Sequence, residues 1–219
     1  MSTRTRPEIV ELLAERILGV RVAHPARIGI DGVDAAGKTT LAGELADSLA
    51  GSGRDVIRAS VDGFHRPRVL RYARGRDSAT GYYEDSFDYP VLRDVLLDPL
   101  GPGGDRRYRR AVFDHTTDAP VLGPIELAAV DAILLFDGIF LQRPELRGCF
   151  ERVVFLEVSP DTAVARSAGR SGGSSDAGAL ENRRYVEGQE IYRRAVRPSE
   201  KADIVVDNED IEAPRLVRG

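Results

Sequence analysis

The eight residues Gly32-Val33-Asp34-Ala35-Ala36-Gly37-Lys38-Thr39 constrain the fold most, because they fill every required position of the pattern G-x-x-x-x-G-K-[ST]. An apolar, β-branched run at 26–31 precedes them, and Leu41, Leu45 and Leu49 follow at helical spacing. Glycines allow the sharp turn that brings backbone N–H groups against phosphate oxygens at a helix N-terminus. The sequence therefore predicts a strand, a phosphate-binding loop and a helix.

Lysine and threonine at the end of this loop have separate roles in the predicted site. Lys38 would meet the β- and γ-phosphates as a point charge, and the Thr39 hydroxyl would bind Mg²⁺ that arrives with ATP. The alternative is a glycine-rich turn with a chance lysine, which the flanking strand and helix disfavour. The predicted nucleotide site consists of Gly32, Asp34, Ala35, Ala36, Gly37, Lys38, Thr39 and Thr40.

Charge and length limit the classes of protein that the chain can belong to. Its 219 residues are 42% hydrophobic, which predicts one domain over residues 1–219. Lysine and arginine number 31 against 35 acidic residues, a net charge of −4, so no global positive field exists to bind nucleic acid or an anionic membrane. The single cysteine, Cys149, excludes an intramolecular disulfide, and the polar start at 1–6 does not resemble a secretory signal. We therefore expect a cytoplasmic protein; self-association is left open.

Strand-like and helical segments alternate along the chain, which predicts an α/β fold: a three-layer sandwich of the P-loop NTPase type around a mostly parallel, five-stranded sheet. The predicted strands lie at 26–31, 55–59, 132–136, 152–158 and 203–207. The predicted helices, besides one after the phosphate loop, begin at Pro7 and lie at about 89–97, 160–169 and 180–194.

Two segments lack clean periodicity and are predicted to be irregular. Residues 61–88 mix glycine, aspartate, arginine and aromatic residues, whereas 169–179 are mostly glycine, serine and alanine. A long polar loop inside a domain is typical of a binding loop or lid, and solvated disorder explains 169–179 equally well. We expect a mobile lid at about 166–184.

Two aspartates follow predicted strands and would reach the ligand edge of the sheet. Asp137 ends the apolar strand at 133–136 and is the candidate Mg²⁺ residue together with Thr39. Asp62 follows the strand at 55–59 and is the candidate general base, which would orient the acceptor hydroxyl and accept its proton late. The alternatives are a capping aspartate before Gly138 and a turn dipeptide, Asp62-Gly63.

Arginines around the glycine-serine segment are candidates for stabilising the transferred phosphoryl group. Arg166 and Arg170 lie four residues apart, hence on one helix face, and Arg183 and Arg184 follow the segment. Exposed helix arginines are commonly solvated or loosely paired, so at least two of these four are expected to be inert. Arg166 and Arg170 are the predicted catalytic pair.

Histidines and tyrosines offer weaker candidates for acceptor contacts. His65 and His115 could bind a nucleobase edge or be turn residues. Tyr82 and Tyr83 could stack on a flat ring or close the core beneath the loop.

The combination of motifs resembles the uridine kinase family of P-loop kinases, a group that also contains phosphoribulokinase, pantothenate kinase and nicotinamide riboside kinase. The resemblance spans residues 26–208 and rests on the phosphate loop together with four further segments. These are Asp62-Gly63-Phe64-His65, Gly81 to Asp88, Leu134 to Gly138, and Pro198 to Asn208.

The resemblance implies an ATP- and Mg²⁺-dependent kinase that phosphorylates a small, nucleoside-like acceptor. By the family's pattern, Asp62 is the base, Asp85 and Asp88 lie near sugar hydroxyls, and 108–115 grips the acceptor. The predicted acceptor site consists of Asp62, Phe64, His65, Tyr83, Asp85, Asp88, Arg110 and His115.

The chain departs from the family's pattern at two positions. It has Asp137-Gly138 where nucleoside kinases of this group often have Glu-Gly, and Arg170 is followed by Ser171 rather than aspartate. Uridine or cytidine is the first expectation for the acceptor; pantothenate, nicotinamide riboside or another sugar or sugar phosphate are alternatives. A nucleotide-dependent switch or accessory NTPase is the alternative from another class, and the acidic and aromatic residues at 62–115 favour an acceptor pocket over it.

Overall fold

Strands and helices alternate along residues 4–219, which are the residues that the computed structural model describes. Residues 1–3 of the predicted domain lie outside this range. The helices are α1 (Arg6–Leu18), α2 (Lys38–Leu49), α3 (Arg68–Arg71), α4 (Ala79–Asp85), α5 (Tyr89–Leu92), α6 (Pro160–Ser171), α7 (Leu180–Val196) and α8 (Pro198–Lys201). The strands are β1 (Ala26–Gly32), β2 (Val56–Ser60), β3 (Arg107–Tyr108), β4 (Phe113–Asp114), β5 (Ala119–Pro120), β6 (Glu126–Leu127), β7 (Ile133–Gly138), β8 (Arg152–Glu157), β9 (Ile204–Asp207) and β10 (Arg215–Arg218).

The main sheet has the strand order β10-β9-β8-β1-β7-β2. Its first five strands in chain order, β1, β2, β7, β8 and β9, pair in parallel, which confirms the predicted parallel sheet. The predicted count of five is too low, because β10 adds an antiparallel edge strand beside β9. That strand has only four residues, two of them arginines, so it carries no hydrophobic alternation that would reveal it in the sequence.

Side chains of the parallel strands enter two hydrophobic layers, one on each face of the sheet. Along β7, Leu134 and Phe136 belong to the layer under α4, α5 and α7, whereas Ile133 and Leu135 belong to the layer under α1 and α2. Every residue of β1 is buried, as expected for a central parallel strand covered on both faces. The three-layer α/β prediction is confirmed.

Helix α1 begins where the sequence signals a start. Thr5 and Glu8 form a reciprocal capping box, and Pro7 lies in the first turn. The buried stripe includes Leu13 and Ile17, which pack α1 against α2. None of the described helices is long and apolar enough to cross a membrane.

The prediction that 61–88 is irregular is wrong for most of the segment. It contains a 3₁₀ turn at Val61–Phe64, followed by α3 and α4, and the Ser78 hydroxyl caps α4 through the Gly81 N–H at 3.0 Å. Four- to seven-residue helices present too few turns for a helical period to be visible. The predicted helix at 89–97 is α5 continued by a π-helical turn at Arg93–Leu97.

The predicted helices at 160–169 and 180–194 correspond to α6 and α7, each of which extends two residues further. The part of the polar segment between them, 172–179, contains no helix or strand. The end of α6, this connection and the start of α7 form the region at about 166–184 that the sequence predicts to be a lid.

Candidate active site

The phosphate-binding loop joins β1 to α2 through three residues with positive φ. Gly32 and Gly37 have φ of 154° and 95°, and Ala35 has φ of 55°. A Cβ on Gly32 would lie 2.7 Å from the Leu156 carbonyl oxygen, and one on Gly37 would lie 2.8 Å from the Asn208 Nδ2. Backbone conformation and close packing therefore both require glycine at these two positions.

Lys38 is buried at the start of α2 and folds back over its own loop. Its Nζ donates a hydrogen bond to the Val33 carbonyl oxygen at 2.6 Å. Burial lowers the pKa of Lys38, although the carboxylates of Asp34, Asp31, Asp137 and Asp62 act in the opposite direction. An ammonium among these carboxylates lies where a bound phosphate chain needs a positive charge.

Thr39 and Asp137 meet although 98 residues separate them in the sequence. The Thr39 Oγ1 donates to the Asp137 Oδ2 at 2.8 Å, at the carboxyl end of β7. Burial raises the pKa of Asp137, and the hydrogen bond from Thr39 and the charge of Lys38 partly offset this. A hydroxyl and a carboxylate are hard oxygen ligands, and Mg²⁺ takes few protein ligands besides water and substrate phosphates. The pair therefore fits Mg²⁺, and among the described residues no cluster of three or more His, Cys, Asp or Glu competes as a metal site.

Asp62 lies in the 3₁₀ turn that follows β2, and its side chain is 64% exposed. Its Oδ1 is 3.6 Å from the His65 Nε2. Surrounding protein raises the pKa of Asp62, but the interaction with His65 and the charges of His115 and Lys38 outweigh this and lower it below the ordinary value. The carboxylate is therefore ionised and available to an acceptor hydroxyl.

His65 and His115 come together beside Asp62. The His65 Nδ1 is 3.1 Å from the Ser86 carbonyl oxygen, which can only accept, so Nδ1 carries a proton. The His65 ring stacks on the Phe87 ring, with centroids 4.5 Å apart. The centroid of the His115 ring lies 4.8 Å from that of the His65 ring. The packing fixes the His65 ring and points its Nε2 at the candidate base.

Two predicted acceptor residues, Phe64 and Tyr83, are buried in this structure, and their contact with a substrate stays a prediction. Phe64 is fully buried and packs against Phe136. Tyr83 is 9% exposed, between Phe140 and the Arg143 guanidinium, which lies 4.1 Å from its ring centroid. Both side chains point into the hydrophobic layer below the loops because they close the core there. Sequence alone could not separate this arrangement from ring stacking.

The remaining predicted acceptor residues already have protein partners. Asp85 pairs with Arg74 at 2.8 Å, Asp88 caps α5 through the Val91 N–H at 3.1 Å, and Arg110 makes two 2.7 Å contacts with Glu126. Their contact with an acceptor stays a prediction.

The two predicted lid arginines, Arg166 and Arg170, differ in their surroundings. The Arg166 Nη2 donates to the backbone carbonyls of Asn208 and Glu209 at 3.0 and 3.1 Å, so this guanidinium is tied to the loop after β9. Arg170 is exposed near the end of α6. Neither reaches the phosphate loop here, and their catalytic role stays a prediction, as does the contact of the exposed Thr40 with nucleotide.

Several residues that support the loop are absent from the sequence-based prediction. Asn208 is 1% exposed and its Nδ2 donates to the Ala36 carbonyl oxygen at 2.7 Å. Its position just after a buried strand was the available signal, the same one that singled out Asp62 and Asp137. Asp31, the last residue but one of β1, is fully buried and accepts hydrogen bonds from the Tyr192 hydroxyl and, at 3.0 Å, from the Gln142 Nε2.

Asp34 is held from two helices rather than by the phosphate loop itself. Its Oδ2 accepts from the Tyr82 hydroxyl at 2.6 Å and from the Gln189 Nε2 at 3.2 Å. Tyr82 lies on α4 and Gln189 on α7, so the loop is bound to the helical layer on this face of the sheet. The hydroxyl of Tyr82 thus serves the loop, and its ring belongs to the core.

Comparisons with known proteins relate the chain to kinases. It is 29% identical over 148 residues to uridine-cytidine kinase B from Dictyostelium discoideum, covering 65% of this chain and 57% of that protein. It is 25% identical over 158 residues to uridine-cytidine kinase 2-B from Danio rerio, covering 68% and 58%. The match therefore spans less than two thirds of the length of these curated relatives. No family model matches the chain.

A solved structure resembles nearly the whole chain. It is that of a possible uridine kinase from Bacillus stearothermophilus, with a TM-score of 0.71 and 26% identity, covering 90% of this chain and 97% of the other. The similarity therefore extends to the fold of nearly the whole chain.

Proposed function

The chain belongs to the uridine kinase-like family of P-loop kinases, and from this premise we propose that it transfers the γ-phosphoryl group of ATP to the primary hydroxyl of a small ribosyl-type acceptor. Pyrimidine nucleosides are the first acceptors to expect, because the relatives with matching sequence are named uridine-cytidine kinases. The observation that carries the proposal is the position of Asp62. The ionised Asp62 carboxylate lies at the same edge of the sheet as Lys38, and the charge of Lys38 lowers the pKa of Asp62.

In the proposed reaction, the acceptor oxygen forms a bond to the γ-phosphorus while the bond between that phosphorus and the β–γ bridging oxygen breaks, and ADP leaves. Asp62 holds the attacking hydroxyl in line and takes its proton late, because a loose transition state does not require a fully formed alkoxide. His65, fixed by Ser86 and Phe87, positions the carboxylate. Thr39 and Asp137 would hold Mg²⁺, which supplies charge neutralisation on the phosphate oxygens when bound.

The backbone of the loop and Lys38 bind the donor phosphates in this proposal. The N–H groups at the N-terminus of α2 and the Lys38 ammonium offset the negative charge of the triphosphate. On ATP binding, the Lys38 Nζ would leave the Val33 carbonyl oxygen and contact the β- and γ-phosphates instead. Arg166, Arg170 or both would cover the transferred group once the segment at 166–184 closes.

A panel assay tests the proposal. ADP formation is measured with Mg²⁺-ATP and, in parallel, uridine, cytidine, pantothenate, nicotinamide riboside and ribose at equal concentration. We expect the two pyrimidine nucleosides to give the highest rates. Lys38→Ala should remove ADP formation with every acceptor, whereas Lys201→Ala, an exposed lysine on α8, should leave it unchanged.

The same assay identifies the competing interpretations. ADP formation at an equal rate without any acceptor would mean hydrolysis, and the transfer proposal would be wrong. Highest rates with pantothenate, nicotinamide riboside or ribose would keep the reaction and change the acceptor.

A further inference from the structure

A cavity of about 540 Å³ lies between α6 and α7, beside the phosphate loop. Val33 and Asp34 form one wall, and Ala163, Val164 and Ala168 from α6 face Val186 from α7. Its volume lies within the usual range for small-molecule sites, and its walls are mainly apolar with a few polar groups, as such sites are.

The cavity is separate from the reacting centre. Of the described residues that line it, none is Lys38, Thr39, Asp62, His115 or Asp137. The two places share the loop residues Val33, whose carbonyl oxygen accepts from the Lys38 Nζ, and Asp34, which acts electrostatically on Lys38. A molecule in the cavity would therefore touch the phosphate loop at Val33 and Asp34, without contact to Lys38 or Asp62.

Charge argues against a phosphorylated occupant. Among the described lining residues, the carboxylates of Asp34, Glu181 and Glu190 stand against one guanidinium, that of Arg193. Arg193 already donates to the Val158 carbonyl oxygen at 3.0 Å. Glu190 is paired with Arg194 at 2.6 Å and Asp34 lies near the charge of Lys38, but among the described residues that line the cavity Arg193 is the one cation. A phosphate brought here would be repelled, whereas an uncharged molecule with N–H or O–H groups would be attracted.

Gln189 gives the cavity a polar group that still needs a donor. Its side chain is 6% exposed, and its Nε2 is used by Asp34, but its Oε1 has no hydrogen-bond partner among the described residues. A buried unpaired carbonyl oxygen is costly, and a donor from a bound molecule would pair it. The Tyr185 ring at the rim offers a flat surface for a ring.

From the volume, the apolar walls, the excess of carboxylates and the unpaired amide oxygen, we infer that this cavity binds an uncharged, nucleoside-sized ring compound at a site separate from the reacting centre. The inference goes beyond the proposed transfer reaction and does not depend on it. A ligand there would hold α6 and α7 together beside Asp34 and so act on the loop as an effector.

Isothermal titration of the full chain, with Mg²⁺ and a saturating non-hydrolysable ATP analogue, tests the inference. The probes are uridine and adenosine, and uridine monophosphate is the charged counterpart. Ala168→Phe places a ring in the cavity from α6, and Val186→Phe places one there from α7. Two variants are used so that the test still holds if one of them folds poorly. Ala165→Phe, on the exposed side of α6 away from the cavity, is the matched control.

We expect the cavity-filling variants to weaken one nucleoside site by at least about tenfold and the control to leave it unchanged. Uridine monophosphate should titrate alike in the wild type and both variants. If the proposed kinase reaction is correct, the wild type binds uridine at two sites and the cavity-filling variants bind it at one. If that reaction is wrong, the wild type binds uridine at one site and the variants bind none.

Three results would overturn the inference. The first is a nucleoside titration that is the same in the wild type and in the folded variants. The second is a loss of ATP-analogue binding in those variants. The third is a loss of uridine monophosphate binding together with uridine binding. The second result would make the cavity part of the ATP site.

Discussion

Asp62 shows how one residue acquires a chemical role from its surroundings. The strand β2 ends at Ser60, whose hydroxyl accepts a hydrogen bond from the Asp62 N–H at 3.4 Å. The following turn leaves the Asp62 carboxylate exposed. His65 faces it, and Lys38 and His115 act on it through their charges. At the residue scale, the candidate base is therefore an aspartate that stays ionised rather than one with a raised pKa.

Asp62→Asn should lower kcat by about 10²- to 10⁴-fold, because the amide cannot accept the acceptor's proton. Binding of an ATP analogue should be retained, since the phosphate loop is untouched. Steady-state kinetics and analogue titration measure the two effects. Asp47→Asn, an exposed position on α2, is the matched control, and near-normal turnover of Asp62→Asn would remove Asp62 from the base role.

His65→Ala should move the acid limb of the kcat/KM profile to higher pH. His65 lowers the pKa of Asp62, so its removal raises that pKa and the base becomes protonated at a higher pH than in the wild type. The profile is measured from pH values below the ordinary aspartate pKa up to neutral pH. His24→Ala, near Glu151 and before β1 at the opposite edge of the sheet, is the control. An unchanged acid limb would mean that another group sets it.

Helix α7 is the element that connects the phosphate loop to the rest of the molecule. Gln189 and Tyr192, three residues apart on one helix face, bind Asp34 and Asp31 at the two ends of the loop's first turn. Burial raises the pKa of Asp31, and the hydrogen bonds from Tyr192 and Gln142 counteract it. The helix that follows the predicted lid is thereby hydrogen-bonded to the strand that carries the loop.

Tyr192→Phe should lower the free energy of unfolding by about 1–3 kcal/mol, because the fully buried Asp31 carboxylate loses a donor that water cannot replace. Urea denaturation at neutral pH measures the change. Tyr185→Phe on the same helix, where the side chain is 42% exposed, should cost less than about 0.5 kcal/mol. Equal stability of the two variants would show that the Tyr192 hydroxyl does not support Asp31.

At the scale of the whole molecule, the parallel sheet gathers the site at one edge. Asp137 lies beside Ile30 of β1 and beside Ser60 of β2, so the carboxyl ends of three strands present the phosphate loop, the metal candidate and the base together. Asn208, just after β9, also contacts the phosphate loop. Helices α6 and α7 contact this edge of the sheet through hydrogen bonds of Arg166 and Gln189. Closure of the segment between those helices would enclose the reaction.

Binding of an ATP analogue and uridine together should slow trypsin cleavage after Arg170 by about tenfold, which corresponds to roughly 1.4 kcal/mol of closure. Arg170 is exposed and precedes the segment without helix or strand at 172–179. Cleavage is followed by gel electrophoresis and mass spectrometry. Lys38→Ala, which should not bind the analogue, is the control; equal cleavage with and without ligands in the wild type would favour a passive linker over a lid.

The sequence by itself determined the parallel α/β fold, the phosphate loop, and the positions of Asp62 after β2 and of Asp137 at the carboxyl end of β7. These features depend on local order: apolar periodicity predicts strands and helices, and the chain direction of a parallel strand determines which end carries the following polar residue. The short helices at 61–88 and the four-residue β10 were not predicted because they contain too few repeats of the helical or strand period to be recognised.

Only the tertiary structure decided which polar and aromatic residues support the loop and which belong to the core. Asn208 reaches Ala36 across 172 positions, Gln189 reaches Asp34 across 155, and Tyr82 reaches Asp34 across 48. Such contacts depend on how helices and strands pack, which no local pattern encodes. For the same reason Phe64 and Tyr83, adjacent in sequence to candidate site residues, turned out to fill the core, since burial is decided by the layers that close over a side chain.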